Sequence, residues 1–306
     1  MTEATRVALL EPPVGPISMV LDTDTFNEID DQFALAYAIR AHEAGELTLK
    51  AIHAAPFSNP GIPFDQGMEL SYQEILRVLD RTHSPNFRDK AFRGSIRQVR
   101  PGEPVVSDAA ENLIRLAREQ DPSHPLYVVT IGAATNVASA LMLAPEIKEK
   151  IVVVWLGGNC LHWPHVREFN AMQDIAAGQH LFNCGVPLVL LPAENVVEGL
   201  RTSIFELEHY LDGKSEIGTY LVSIVREYSK REYHPDHAWS KVIWDIAGVT
   251  WLLHPEWFST RLVPTPILTD DLHWASDPTR PLMRICDHLR RDPIFMEVFR
   301  KLTTKS

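Results

Sequence analysis

Four aspartates crowd one short stretch near the start of the chain: Asp22, Asp24, Asp30 and Asp31, in the run Leu-Asp-Thr-Asp-Thr-Phe-Asn-Glu-Ile-Asp-Asp. Carboxylates packed this closely repel one another, and no Lys or Arg lies between Leu21 and Ile39 to offset them. A hard divalent cation with oxygen ligands is the natural neutraliser, and a metal-assisted or carboxylate-based reaction is the chemistry such a site supports. Acidic residues also cap helices and complement the helix dipole, which accounts for Asp30 or Asp31 but not for Asp22 and Asp24.

The elements that must position these groups are legible around them. The apolar run Ile17-Ser-Met-Val-Leu21 reads as a buried strand, and a helical pattern follows from Gln32 to Arg40. The carboxylates therefore occupy a turn between the carboxyl end of a strand and the amino end of a helix. Further strands are expected at Leu47–His53, Leu126–Ile131, Ile151–Leu156 and Leu188–Leu191, with helices over Asp31–Ala44, Met68–Asp80, Asp108–Glu119 and Asn136–Leu143. Strands rich in Val, Ile and Leu that alternate with helices predict an α/β fold, an open and mostly parallel sheet with helices on both faces. The first sixteen residues, punctuated by Pro12, Pro13 and Pro16, read as a lead-in arm. Beyond about residue 194 the pattern is mainly helical, over Ser203–Leu211, Ile217–Ser229, Ile243–Leu253 and Arg284–Leu302. No linker separates these pieces, so residues 1–306 are read as one domain with a helical C-terminal portion.

Composition narrows the function classes. The 306 residues carry a formal net charge of −11, which argues against a general nucleic-acid binder. No apolar stretch approaches the roughly 20 residues that span a bilayer. The first residues, with Glu3 and two early prolines, do not read as a signal peptide. Three scattered cysteines, Cys160, Cys184 and Cys286, suggest neither a zinc knuckle nor a disulfide framework. A reduced, cytoplasmic setting is the expectation.

In open α/β sheets, ligands bind in the crevice outside the carboxyl ends of the strands. Walking those ends lists the candidate residues: Asp22 and Asp24; His53-Ala-Ala-Pro-Phe-Ser-Asn59; Thr130-Ile-Gly-Ala-Ala-Thr-Asn136; Trp155-Leu-Gly-Gly-Asn159; and the segment Glu168-Phe-Asn170. The small residues of the third let backbone approach a ligand closely.

The ordered set of an Asp-x-Asp turn with a following Asp-Asp, a Gly-x-x-Thr-Asn turn, Leu-Gly-Gly, Glu-Phe-Asn and a late Asp before a helix resembles the inosine–uridine-preferring nucleoside hydrolase family. The resemblance runs from about Ile17 to the C-terminus. It implies a Ca²⁺-dependent hydrolase that cleaves the N-glycosidic bond of ribonucleosides or related ribosides, with nucleosides as partners and a homodimer or homotetramer as assembly. By that resemblance Asp24, Asp31 and Asp245 would bind Ca²⁺ through side chains and Ile131 through its carbonyl. Asp24 would also take the proton of the attacking water. Asp30, Glu168, Asn170 and Asn59 would hold the ribose, Asp22 would orient the metal ligands from behind, and Trp244 would stack on the base.

Two departures from the family pattern stand out. Five residues, Thr25–Ile29, separate Asp24 from the Asp-Asp pair where three are usual, which brings Asn27 and Glu28 within reach of the site. Trp244 stands where many members carry a histidine directly before the late aspartate, and an indole cannot act as a general acid. His53, His162, His165, His234 and His237 are the remaining candidates for that role; Trp155, Trp239 and Tyr72 read as core, and Trp163 is a second candidate beside Trp244 for the base pocket. Two rival readings exist. A haloacid-dehalogenase-type phosphatase also opens on Asp-x-Asp, but wants Thr or Val where this chain has Phe26, and has no counterpart of Glu168-Phe-Asn170. A non-catalytic ribosyl-binding protein of the same fold would explain the absent histidine, at the expense of leaving packed carboxylates without a use.

Overall fold

The structure is a computed structural model that describes residues 1–121, 123–234 and 237–304. Its centre is an eight-stranded sheet in the order β3-β2-β1-β4-β5-β6-β12-β9, preceded in the chain by helix α1 (Glu3–Leu10). Strands β1 (Ser18–Thr23), β2 (Thr48–Ala54), β3 (Ala91–Arg93), β4 (Leu126–Thr130), β5 (Ile151–Leu156) and β6 (Leu188–Leu191) run parallel. Between them lie α2 (Asp31–Glu43), α3 (Phe64–Arg81), α4 (Asp108–Arg118), α5 (Thr135–Leu143), α6 (Phe169–Gln173) and α7 (Ile175–Asn183). The parallel strands are buried on both faces, which is why they read as continuous apolar runs. Val20, Val128, Val153 and Leu190 enter one core, and Leu21, Val129, Val154 and Leu191 enter the other.

The chain builds outward from β1 through β2 to β3 and then returns to place β4 on the other side of β1. Strand order reverses there, so a crevice opens beyond the carboxyl ends of β1 and β4. Register brings Asp22 level with Thr130, and the Ile131 N–H donates to the Asp22 carbonyl at 2.9 Å.

The C-terminal third holds the short pair β7 (Arg201–Thr202) and β8 (Lys241–Val242), with α8 (Ile204–Leu211) and α9 (Glu216–Glu232) between them. Helix α10 (Ile246–Leu253) follows, then β9 (Phe258–Pro264), the hairpin β10 (Ile267–Leu268) with β11 (Trp274–Ala275), β12 (Leu282–Leu289) and α11 (Arg291–Thr303). No helix among the described residues is long and apolar enough to cross a membrane.

Two expectations are corrected by this architecture, and one side chain explains both. The stretch expected to be helical over Arg284–Leu302 begins as β12, parallel to β6 and antiparallel to β9, before α11 starts. The supposed lead-in arm contains α1, which packs against β12. Arg284 hides the strand pattern, because a charged residue is not expected inside a sheet. Its guanidinium is buried there, donating to the Leu10 carbonyl at 2.5 Å, to Thr260 Oγ1 at 2.9 Å and to Glu11 at 2.7 Å.

Candidate active site at the switch point of the sheet

The acidic turn is held open by hydrogen bonds that its sequence only partly announces. Thr23 Oγ1 donates to Asp31 Oδ1 at 2.5 Å and receives the Thr25 hydroxyl at 2.9 Å. The Asn27 N–H donates to the Asp24 carbonyl at 2.7 Å, closing a tight bend. Gln32, the second residue of α2, donates to the Thr25 carbonyl at 2.6 Å. Asn59 donates through Nδ2 to Asn27 Oδ1 at 2.9 Å, tying the loop after β2 to the two extra residues of the turn. Glu28 accepts an ion pair from Lys241 of β8. Asp30 does not cap α2 with its side chain, so its carboxylate stays free for other work.

That work lies across the crevice. Ligand oxygens of Asp30, Asp31 and Asp245 all come within 4.8 Å of one another, and all three residues are buried. Asp30 and Asp31 open α2 while Asp245 opens α10, so two helix amino ends aim their partial positive charge at one point. The Trp244 N–H donates to Asp30 Oδ2 at 3.1 Å. Asp24 faces the same cavity, and its Oδ2 is buried without a hydrogen-bond partner. An alanine Cβ at Gly132 would lie 2.9 Å from Asp24 Oδ1, so any side chain in the turn after β4 would force the carboxylate or the turn to shift.

Burial, reinforced by mutual repulsion, dominates the ionisation of this group. Asp24 and Asp245 are pushed well above the usual carboxylate range, first by desolvation and then by their aspartate neighbours. Burial and Asp30 push Asp31 up to about 8, while burial pushes Asp30 up to about 6 with Lys241 pulling it back down. Several carboxylates that resist ionisation together, one bearing an orphaned oxygen, fit a hard divalent cation that would let all of them ionise.

The other expected residues stand around the same cavity. Glu168 caps α6 and accepts N–H bonds from Gly158 at 2.7 Å, Asn170 at 2.9 Å and Ala171 at 3.1 Å. Burial nevertheless pushes it up to about 7. Asn170 donates through Nδ2 to the carbonyls of Ile131 at 3.0 Å and Leu156 at 2.9 Å, which leaves its Oδ1 and a second lone pair on Ile131 for a ligand. Asp22 stands behind, outside the cavity lining, with Oδ1 accepting from Asn136 Nδ2 at 2.8 Å and burial pushing it up to about 7. Asp24, Asp30, Asp31, Ile131, Asp245, Asn59, Glu168, Asn170 and Trp244 all line one cavity of about 930 Å³.

Among the described residues, no histidine lines that cavity. His53 is buried against Asn112 at 3.0 Å and Phe92, and burial pushes it down to about 4. His162 meets Asn195 at 3.2 Å, His165 accepts the Arg167 N–H at 3.3 Å, and His234 and His237 lie with rings 5.0 Å apart. Trp155 is core, donating to the Gly132 carbonyl at 3.2 Å; Trp163 packs against the core, Trp239 stacks on Tyr233 and Tyr72 lies beneath Arg93. Sequence reasoning missed Lys241, which reaches the turn through Glu28, and Gln32 and the α9 side chains Tyr220 and Tyr228, which line the cavity with Phe26 and Trp244. Only Gln32 carried a signal, its place directly after Asp31. The rest arrive through tertiary contacts from far along the chain.

The profile of the inosine-uridine preferring nucleoside hydrolases matches residues 19–292. The chain is 25% identical over 268 residues to the pyrimidine-specific ribonucleoside hydrolase RihA of Salmonella paratyphi B, covering 80% of this chain and 82% of that one. The fold is similar to that of an inosine-guanosine nucleoside hydrolase, with a TM-score of 0.74 at 16% identity over 96% of this chain and 100% of the other. It is also similar to the purine-preferring ribonucleoside hydrolase from Gardnerella vaginalis, with a TM-score of 0.69 at 19% identity over 94% and 98% of the two chains. A match of this extent, on a chain whose acidic turn, glycine turn and late aspartate meet in one crevice, has a single reading: the protein belongs to the inosine-uridine preferring nucleoside hydrolase family and is an N-ribosyl hydrolase.

Proposed function

We propose that the chain is a Ca²⁺-dependent hydrolase that releases free base and ribose from nucleosides or related ribosides. The observation that carries this reading is the convergence of Asp24, Asp30, Asp31 and Asp245 on one cavity that Glu168 and Asn170 also line. Asp24, Asp31, Asp245 and the Ile131 carbonyl would hold the ion, and Asp30 lies close enough to share in that duty or to meet a ribose hydroxyl. When bound, the ion supplies charge that acidifies the attacking water and anchors the ribose diol.

The remaining work falls to side chains. Asp24, with an orphaned oxygen, takes the proton of the attacking water as its oxygen closes on the anomeric carbon. Glu168, fixed by three backbone amides, faces the positive charge that develops on the ribose as the C–N bond lengthens. Asn170 and Asn59 orient the sugar hydroxyls, and Asp22 braces the turn through Asn136. Trp244 stacks on the base, which favours a purine, although RihA is named for pyrimidines.

A panel of nucleosides assayed for reducing-sugar release, on protein that is calcium-replete and on protein treated with chelator, tests the reading. Turnover that disappears on chelation and returns with Ca²⁺ is the expected result. No release from any riboside in the calcium-replete protein would overturn it, and phosphate release from a phosphoester panel would point to the phosphatase instead.

A further inference from the structure

Apart from its four aspartates, the cavity has an unusual lining for a site that must expel a base. Over the whole cavity, ten carboxylates face three arginines, Arg77, Arg167 and Arg231. A divalent ion at the aspartates and the nearby Lys241 reduce that excess, but the balance stays negative. Besides the four aspartates the acids are Glu28, Glu74, Glu168, Glu194, Glu227 and Glu232. Among them stand aromatic rings, with Phe26 41% exposed at the tip of the turn and Tyr220, Tyr228 and Trp244 lining the same space. Two of these rings already face cations, the Lys241 ammonium 5.3 Å from the Tyr228 ring centre and the Arg81 guanidinium 5.7 Å from that of Tyr220.

A neutral base leaves a ribose with difficulty, because the departing nitrogen must accept a proton as the bond breaks. The wall offers poor donors for that proton. No imidazole lines the cavity among the described residues, and the position before Asp245 holds an indole. The Tyr220 hydroxyl is committed to Glu74. Tyr228 is pushed up to about 12 by burial and by Glu28, away from the range in which a phenol gives up its proton.

We propose that the aglycone this site is built for is a cationic heteroaromatic ring, an N-ribosyl pyridinium or an N-alkylated purine riboside, which leaves without being protonated. The proposal rests on the hydrolase reading above. In the step itself, the C1′–N bond breaks with its electron pair passing to the ring nitrogen, and the ring thereby becomes neutral. The water oxygen bonds to C1′, and its proton passes to a carboxylate of the acidic turn. Atoms and charge balance without a proton for the leaving group. The ring's positive charge meets acidic and aromatic walls on binding, by the same attraction that seats quaternary cations in aromatic cages.

The test uses the calcium-replete protein and two matched comparisons. Nicotinamide riboside and 7-methylguanosine are assayed against uridine and inosine, and a kcat/KM at least ~100-fold higher for a cationic riboside is expected, the scale of a missing general acid. The two cationic arms tell a pyridinium from a purinium preference. Because cationic ribosides are intrinsically more labile, binding is read separately, as competitive inhibition of inosine turnover, or of nicotinamide riboside turnover where inosine is not cleaved, by the 1-methylnicotinamide cation and by neutral nicotinamide. The cation is expected to bind at least ~10-fold more tightly, with the ratio shrinking in about 0.5 M salt. Equal inhibition by the two, or uridine or inosine turned over as fast as both cationic ribosides, overturns the proposal and leaves the hydrolase reading standing. Absence of turnover with every riboside overturns both.

Discussion

Lys241, 5% exposed on a two-residue strand, forms an ion pair with Glu28 in the acidic turn, and its charge also acts on Asp30. The positive charge that the turn lacks in sequence is thus supplied from the other end of the chain. Burial would lower the Lys241 pKa, but Asp30 and Glu28 hold it above the ordinary lysine value, so the ammonium stays charged. The pair pins the two-residue extension of the turn while Asn59 grips Asn27 beside it.

Removing that charge is expected to loosen the turn. Lys241→Met costs about 1–3 kcal/mol, less than a fully buried pair because Glu28 is partly open to solvent. Thermal unfolding should show a Tm lower by about 2–5 °C, and calcium titration a weaker affinity. Lys241→Arg should recover most of both, and an unchanged Tm and affinity in the Met variant would deny the pair its bracing role.

Asp24→Asn keeps the side-chain volume but removes both the anionic ligand and the proton acceptor. Turnover is expected to fall by about 10³-fold or more, with an unchanged circular dichroism spectrum. Parental rates in this variant would refute the mechanism.

Stability should respond to pH in a direction set by the aspartates. Asp30 and Asp31 are raised to about 6 and about 8, so the folded chain binds more protons than the unfolded one across this range. Stability of the metal-free protein therefore falls as pH rises from about 4 to about 8. Calcium should raise the Tm more at pH 8 than at pH 5, where protons still compete for the carboxyls. An equal calcium effect at both values would mean that these groups are not the ligands.

Trp244→His restores an imidazole beside Asp245. Inosine turnover is expected to rise by about 10–100-fold and to acquire a descending limb in its pH profile, as a new general acid would produce. A fall in rate with no new titration would assign the indole a packing role alone.

Gly132→Ala tests the close approach at the end of β4. The added methyl would meet Asp24 Oδ1 at 2.9 Å. Turnover is expected to drop by about 10²-fold, from misplacement of a reacting group by a fraction of an ångström, with far less loss of Tm than of rate. An unaffected rate would show that the turn relaxes away.

Much of this site was legible because parallel strands must end where the crevice opens. Asp24, Ile131, Glu168 and Asn170 follow strands whose apolar runs are unambiguous, so their convergence followed from the order of the elements. Asp245 needed the family resemblance, since only a helix start preceded by a tryptophan marks it. Lys241, Tyr220 and Tyr228 carry no local signal, because ion pairs and cavity walls join residues that are distant in sequence. Strand β12 escaped for a different reason: Arg284 breaks its alternation, and α1, read as a loose arm, is the element that satisfies it.

Helix α2 is buried along nearly its whole length, from Asp31 to Ala41, beneath α10, α11, α3 and α9. The amides of its middle turns are shielded by these helices, so their hydrogen exchange reports openings close to the global free energy. An ion or ribose gripped at the first turn of this helix is therefore felt by every slow-exchanging amide in the protein. Occupancy of the site can be read as uniform slowing of exchange throughout both cores, without any probe placed in the crevice.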